Sequence, residues 1–242
     1  MTEETGVASV ERALGILDAL TEPKLTLAEL SKRTGLYKST VLRLTKSLEK
    51  FGYVVRADDG CFRLGSKVLV LGGMFQRHLR TADIVPPVLA RIVEDLHEGA
   101  AFYIAQGEHR ICLHRVDSGR AVRDSVHEGD RLPLTVGAAA HVLRAFAGAS
   151  GKHYEGIRQC YFAASSGERD EETAAVACPV FAHGDVLYGA LSVSGPRYRI
   201  EALGTPRILP TLFRQAGQLS AALGWDPRSS VFRPHPESAG AS

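Results

Sequence analysis

Residues 34–54, TGLYKSTVLRLTKSLEKFGYV, constrain the fold of this 242-residue chain more tightly than any other stretch. Placed at 100° per residue, Leu44, Leu48 and Phe51 lie within about 80° of Val41, while Ser39, Arg43, Lys46 and Lys50 gather on the opposite side. The period predicts a helix from about Lys38 to Phe51 with one packed face and one basic, hydrogen-bonding face. Residues 32–50 carry Lys32, Arg33, Lys38, Arg43, Lys46 and Lys50 against Glu49 alone, in a chain whose net charge is only +2. The placement of positive charge, rather than its total, points to an anionic partner.

The flanking segments fit around this helix. SVERALGILDAL (9–20) sets Val10, Ala13, Leu14, Leu17 and Leu20 at helical spacing behind Ser9 as N-cap. After Pro23, Thr26 and Glu29 have the spacing of a capping box; a short second helix runs to about Arg33, and Gly35 suits a left-handed turn. GYVVRADDGCFRLG then reads as two short strands around Asp59-Gly60. A two-residue hairpin there sets Arg56 directly opposite Arg63, a like-charge pairing that costs stability and that a phosphate between them would offset. Three helices, a glycine turn before a basic third helix, and a β-hairpin make the winged helix-turn-helix plan. One helix fits the DNA major groove, phosphates take Lys and Arg, and base edges take Arg, Ser or Thr near the helix's N-terminal end. The candidate DNA-binding residues are therefore Lys38, Ser39, Thr40, Arg43, Lys46 and Lys50, with Arg56 and Arg63 on the hairpin. Ser39, Thr40 and Arg43 are placed for bases, Lys46 and Lys50 for phosphates. A merely solvated helix face, or a winged helix used for protein contacts, is the alternative.

GSKVLVLGGMFQRHLR (65–80) is periodic but interrupted by Gly72-Gly73, and reads as a connecting helix at a domain boundary. Beyond it, TADIVPPVLARIVEDLHE predicts a helix with Pro86-Pro87 in or before its first turn. AAFYIAQ and RICLHRV form a hairpin about Gly107-Glu108-His109, EGDRLPL a loop, and TVGAAAHVLRAF a helix rich in small residues. CYFAAS, AAVACPVF and VLYGALSVS are three more strands, the last two joined at His183-Gly184-Asp185, before a terminal helix over about 203–223. The class is α+β, an antiparallel sheet with helices at its faces. Residues 226–242, with their prolines and serines, read as a disordered tail.

Composition adds exclusions. No apolar run approaches the roughly 20 residues that span a bilayer, and MTEETG is not the basic-then-apolar opening of a secretory leader; the expected location is the cytoplasm, with no membrane partner. Cys61, Cys112, Cys160 and Cys178 lie far apart without a Cys-x-x-Cys pair, so neither a zinc site nor a disulfide framework is signalled. Strand alternation places Arg110, Cys112 and His114 on one face, but a metal site there lacks its remaining ligands. No cofactor, metal or catalytic residue is expected: a Gly-x-Ser-x-Gly elbow, a phosphate-binding glycine loop and a His-Glu-x-x-His motif are all missing. The competing functions are an enzyme with an accessory winged helix, its triad scattered along the chain, and a ligand-free architectural DNA-binding protein.

In their order, SVERALGILDAL, LAELSKRTGLYKSTVLRLTKSLEKFGYV, RLGSKVLVLG, EGDRLPL and PVF leading to GALSVSGP resemble the IclR family of bacterial transcriptional regulators over residues 8–224. The resemblance implies a winged helix-turn-helix DNA-binding domain (8–65), a linker helix (66–80) and a GAF-like antiparallel-sheet effector-binding domain (81–225), ahead of the tail at 226–242. It implies double-stranded operator DNA, a small-molecule effector, and a homodimer or dimer of dimers as partners. Thr135 to Ala140 enters a helix through small residues, leaving N–H groups unobstructed at an end that attracts carboxylates. Ser192 and Ser194 alternate with Leu191 and Val193, so both hydroxyls face one way. By the family likeness these segments line the effector pocket, which nominates Thr135, Gly137, Ala138, Ala139, Ser192 and Ser194 and an organic acid, an aromatic one on family grounds alone. The chain departs from the family at three places. Tyr37 stands where proline is common, the stretch between LRAF and GERDEETAA is short and lacks a long helical segment, and Ala175 stands where many members carry a polar residue or cysteine.

Overall fold

Three helices open the chain, α1 (Ala8–Ala19), α2 (Leu27–Thr34) and α3 (Lys38–Lys50), followed by strands β1 (Val54–Arg56) and β2 (Phe62–Leu64) and helix α4 (Ser66–His78). The computed structural model describes residues 6–20, 24–78 and 81–226. These first elements belong to one of two compact units, Met1–Leu79 and Arg80–Ser242. Beyond Asp226, the expected tail lies outside the described residues.

Helix α2 begins with the capping box: Thr26 Oγ1 accepts the Glu29 N–H while the Glu29 carboxylate accepts the Thr26 N–H. It ends at Gly35 with φ 69°. Tyr37 caps α3 at φ −62°, the value a proline ring would impose, so the missing proline changes nothing in the backbone path. Helix α1 starts a residue before Ser9, and Val7 stands at its N-cap with no side-chain cap, so the expected Ser9 cap is not formed. Ile16, Leu20, Leu25, Leu30, Val41, Val54 and Phe62 make the buried core of the unit, with Leu44 and Leu48 packed against it. Phe51, expected on that packed face, is 66% exposed; α3 stops at Lys50 and Phe51 turns out of the helical register as its C-cap.

The hairpin is shifted by one residue from expectation. Its pairs are Val54↔Leu64, Val55↔Arg63 and Arg56↔Phe62. Asp58-Asp59-Gly60 is a three-residue loop closed by the Ala57 N–H on the Cys61 carbonyl, with Gly60 left-handed at φ 79°, a loop class distinct from the two-residue turn. A single-residue slip moves a side chain to the other face. Arg56 therefore does not oppose Arg63: it lies over the Phe62 ring, 5.6 Å from its centroid.

The second unit comprises α5 (Val85–Leu96), β3 (Gly99–Gln106), β4 (His109–Val116), β5 (Arg131–Pro133), α6 (Ala138–Phe146), α7 (Lys152–Cys160), β6 (Ala163–Ser166), β7 (Thr173–Ala182), β8 (Val186–Pro196) and α8 (Arg197–Ala222). Its six strands pair antiparallel in the order β5-β4-β3-β8-β7-β6. Helices α6 and α7 share a core with Ala101, Tyr103, Cys112, Ala177 and Ala190 of the sheet; α5 and α8 pack on the sheet's other side, where Cys178 meets the Leu212 carbonyl. Two elements differ from expectation: EGDRLPL contains strand β5 rather than only a loop, and α8 begins at Arg197 and is broken at Gly204 (φ 68°, ψ 160°), so the helix expected from about 203 is its second part. The stretch expected to lack a long helical segment holds the nine-residue α7.

A bulge corrects the expected face of β4. Tyr103 pairs with Cys112 but Phe102 pairs with His114, leaving Leu113 as an extra residue. One inserted residue inverts the alternation that follows it. Arg110 and Cys112 thus share a face with Arg115, while His114 points the other way, to Thr81 Oγ1 at 3.0 Å.

Candidate functional site

On α3, Lys38, Ser39, Arg43, Lys46 and Lys50 are exposed and Thr40 is half-buried, as are Arg56 and Arg63 exposed on the hairpin. Val41 and Thr45, on the opposite face of α3, are buried. Among the described residues, Lys38, Arg43, Lys46 and Lys50 have no carboxylate partner. Unpaired cations gathered on one helix face are suited to the phosphates of DNA, whose own condensed counter-ions they would displace on binding. Tyr37, considered in the sequence only as a missing proline, projects from the start of this helix and is 85% exposed.

In the second unit the sheet face toward α6 is paved with small residues. Ser192 lies between Ala101 and Ala177 on the neighbouring strands, and Ser194 between Gly99 and Ala175. Without a large side chain on this patch, a cavity of about 30 Å³ is left under the start of α6, room for one or two water molecules. Of the expected effector residues, Gly137, Ala138, Ala139, Ser192 and Ser194 line it, as does Ala175; Thr135 does not, and its side chain is exposed.

The charged walls were not anticipated from sequence. Arg110 is buried, 4% exposed, with Nη1 donating to the Pro133 and Val136 carbonyls and the guanidinium 5.5 Å from the Tyr103 ring centroid. Its Nε has no hydrogen-bond partner, and no carboxylate pairs with it among the described residues. Burial pushes its pKa below that of a free guanidinium. Asp124 is also buried; it accepts from Arg169 Nη2 at 2.5 Å and from Ser194 Oγ at 2.8 Å, with Arg115 Nη1 at 3.9 Å. At α6, Gly137 (φ 93°) donates its N–H to Glu168 Oε2 at 2.8 Å, and Ala138 donates to Ser165 Oγ at 2.9 Å. The same Glu168 oxygen is 2.7 Å from His141 Nε2. The helix start expected to be free is thus occupied by the protein's own carboxylate. Burial acts to raise the Glu168 pKa, but the Gly137 N–H and His141 outweigh it and hold the carboxyl below its usual range.

Three of the cysteines are set against activation. Burial raises the thiol pKa of Cys112 to about 12 and raises those of Cys61 and Cys178 as well, the reverse of what a reactive thiolate requires. Among the described residues no three His, Cys, Asp or Glu side chains are placed to hold a metal, and no helix is long and apolar enough to cross a membrane.

Comparison with known proteins agrees with this architecture. The family model for the IclR helix-turn-helix domain matches residues 9–58, and that for the bacterial transcriptional regulator IclR C-terminal domain matches residues 151–221; together they span half of the chain. The chain is 25% identical to the HTH-type transcriptional regulator KipR of Bacillus subtilis, over 90% of this chain and 97% of the relative. It is 27% identical to the HTH-type transcriptional regulator KdgR of Escherichia coli, over 90% and 94%. Among solved structures, an IclR homologue from Microbacterium hydrocarbonoxydans complexed with 4-hydroxybenzoate superposes with a TM-score of 0.74 at 20% identity, covering 90% of this chain and 99% of that one. Relatives of this kind are named for control of transcription, a DNA-binding role rather than catalysis. Carrying a helix-turn-helix with a basic third helix in one unit and the matching sheet domain in the other, the chain belongs to the IclR family of bacterial transcriptional regulators.

Proposed function

We propose that this regulator binds a palindromic operator as a homodimer or dimer of dimers and changes its occupancy when a small organic acid enters the second unit. In the DNA half, Ser39, Thr40 and Arg43 read base edges, Lys38, Lys46 and Lys50 meet phosphates, and Arg56 and Arg63 hold the backbone beside the groove. In the effector half, Gly137, Ala138, Ala139, Ser192 and Ser194 line the chamber, and Arg110 supplies the charge. Arg110 is the observation that carries the proposal. A buried guanidinium without a counter-ion costs free energy, and its position on a cavity wall beside a helix N-terminus is what an anionic ligand would compensate. The organic acid bound by the Microbacterium relative supports the class of ligand. In a purely architectural second unit Arg110 would serve only to hold the Pro133 and Val136 carbonyls.

A thermal-shift screen with small organic acids tests the effector half, because a ligand that binds only the folded state raises the melting midpoint by mass action. The expected result is at least one acid that raises the midpoint and alters operator affinity by fluorescence anisotropy. An acid can change occupancy only through different affinities for the DNA-competent and DNA-incompetent states. A panel without any hit, with DNA binding intact, favours the architectural function instead.

A further inference from the structure

The Gly167–Glu172 connection between β6 and β7 closes the chamber at two points. Glu168 sits on the Gly137 N–H and His141, and the next residue, Arg169, sits on Asp124. Both contacts leave little room: the space beneath them is about 30 Å³, whereas a cavity that takes a benzene ring is of order 150 Å³. Arg110 meanwhile, 4% exposed and lining the same cavity, keeps its Nε unpartnered. The helix end therefore already holds a carboxylate, and the buried cation beside it still lacks one.

Resting on the effector site proposed above, we propose that Glu168 is a built-in stand-in for the effector: a small carboxylate binds by taking the place of the Glu168 carboxylate on α6, and the Gly167–Glu172 connection lifts as it does so. The exchange is balanced in kind, one carboxylate for another on the same N–H, with Arg110 adding an interaction that Glu168 does not make. Glu168 reaches the helix end from the rim, its side chain 35% exposed, so its departure moves a carboxylate toward water rather than into the core. Arg169 leaves with it, which frees one oxygen of Asp124 and couples the acid end of the chamber to the serine floor through Ser194. Beyond the charges the lining consists of Gly137, small Ala, Ser and Thr side chains and the Tyr103 ring, and the space is small, so the carboxylates that fit with the smallest displacement are short.

The test uses acetate as a bare carboxylate probe, with chloride at equal ionic strength as control, and follows the melting midpoint of the full chain. Removing an internal competitor removes the population cost of the open state, so Glu168→Ala should half-saturate at roughly tenfold lower acetate than wild type. Glu168→Gln, whose amide oxygen still accepts the Gly137 N–H, should fall between them and carries the comparison if the alanine variant does not fold. Arg110→Met should abolish the acetate response in either background. If the response needs Arg110 but neither Glu168 variant binds acetate more tightly than wild type, the stand-in role is wrong and the effector site stands. If acetate shifts no variant, or shifts Arg110→Met as much as its parent, the effector site itself is wrong and the stand-in role falls with it.

Discussion

At the scale of single residues, the two ends of the α3 basic face have separable duties. Arg43 lies near the helix start and is exposed opposite buried Val41 and Thr45; its loss by Arg43→Ala should cost about 1–3 kcal/mol on the operator and relax its sequence preference. Lys50→Ala should weaken specific and scrambled duplexes alike and reduce the slope of log affinity against log salt by about one. Anisotropy on both duplexes across a salt series checks both; identical behaviour of the two variants would show that the face does not divide in this way. In the chamber, Ser192→Leu or Ser194→Leu should abolish a cognate acid's thermal shift and leave operator affinity of the free protein within about threefold, since both side chains belong to the sheet floor of the other unit. A Leu variant that keeps the full shift would place the ligand elsewhere.

At the scale of elements, the α6 start adds a pH signature. The Glu168 carboxyl is held below its usual range, so its contribution to stability is present above the unfolded carboxyl value, about 4.3, and fades as pH falls through the lower folded value. The melting difference between wild type and Glu168→Gln should therefore shrink on acidification below about pH 4.5, and a difference constant to pH 3 would mean the carboxylate makes no net contact in solution. Gly137→Ala tests the same corner: φ is 93° and an added Cβ would lie 3.1 Å from Arg110 Nη2, so a loss of at least about 1 kcal/mol is expected in chemical denaturation. These elements also show what a sequence reveals. α3 was legible because its apolar period and its charge placement are properties of a continuous segment. The chamber's floor was legible in Ser192 and Ser194 because strand alternation is local. Its walls were not: Arg110 and Asp124 come to line one cavity only after the sheet has paired, and the Leu113 bulge that turns Arg115 to the same side has no local signature. Helix α7 leaves little trace in the sequence because KHYEGIRQC buries only Ile157 and carries Gly156 mid-helix, and the hairpin register leaves little because one residue of loop length decides it.

At the scale of the whole molecule, the first unit carries apolar surface that its own core does not use. Val10 and Leu14 of α1 are 54% exposed and Leu69 of α4 is 79% exposed, and an apolar groove runs along Val10, Leu14, Leu17, Leu44, Leu48 and Leu71. Contiguous apolar surface of this sort marks association, and a two-fold dimer presents two recognition helices about one DNA turn apart. Light scattering should give at least a dimer at micromolar concentration, and Leu14→Glu combined with Leu69→Glu should lower the mass and operator affinity together; an unchanged mass would place self-association elsewhere or exclude it. The paired faces of the large sheet have a consequence for how such a molecule changes over time. Phe102, Cys178 and Leu191 pack on one side, while Ser192, Ser194 and Ala175 of the same sheet line the chamber on the other. Exchanging one small side chain for another on the chamber face can therefore reshape the proposed effector site without disturbing the apolar packing on the opposite side of the sheet.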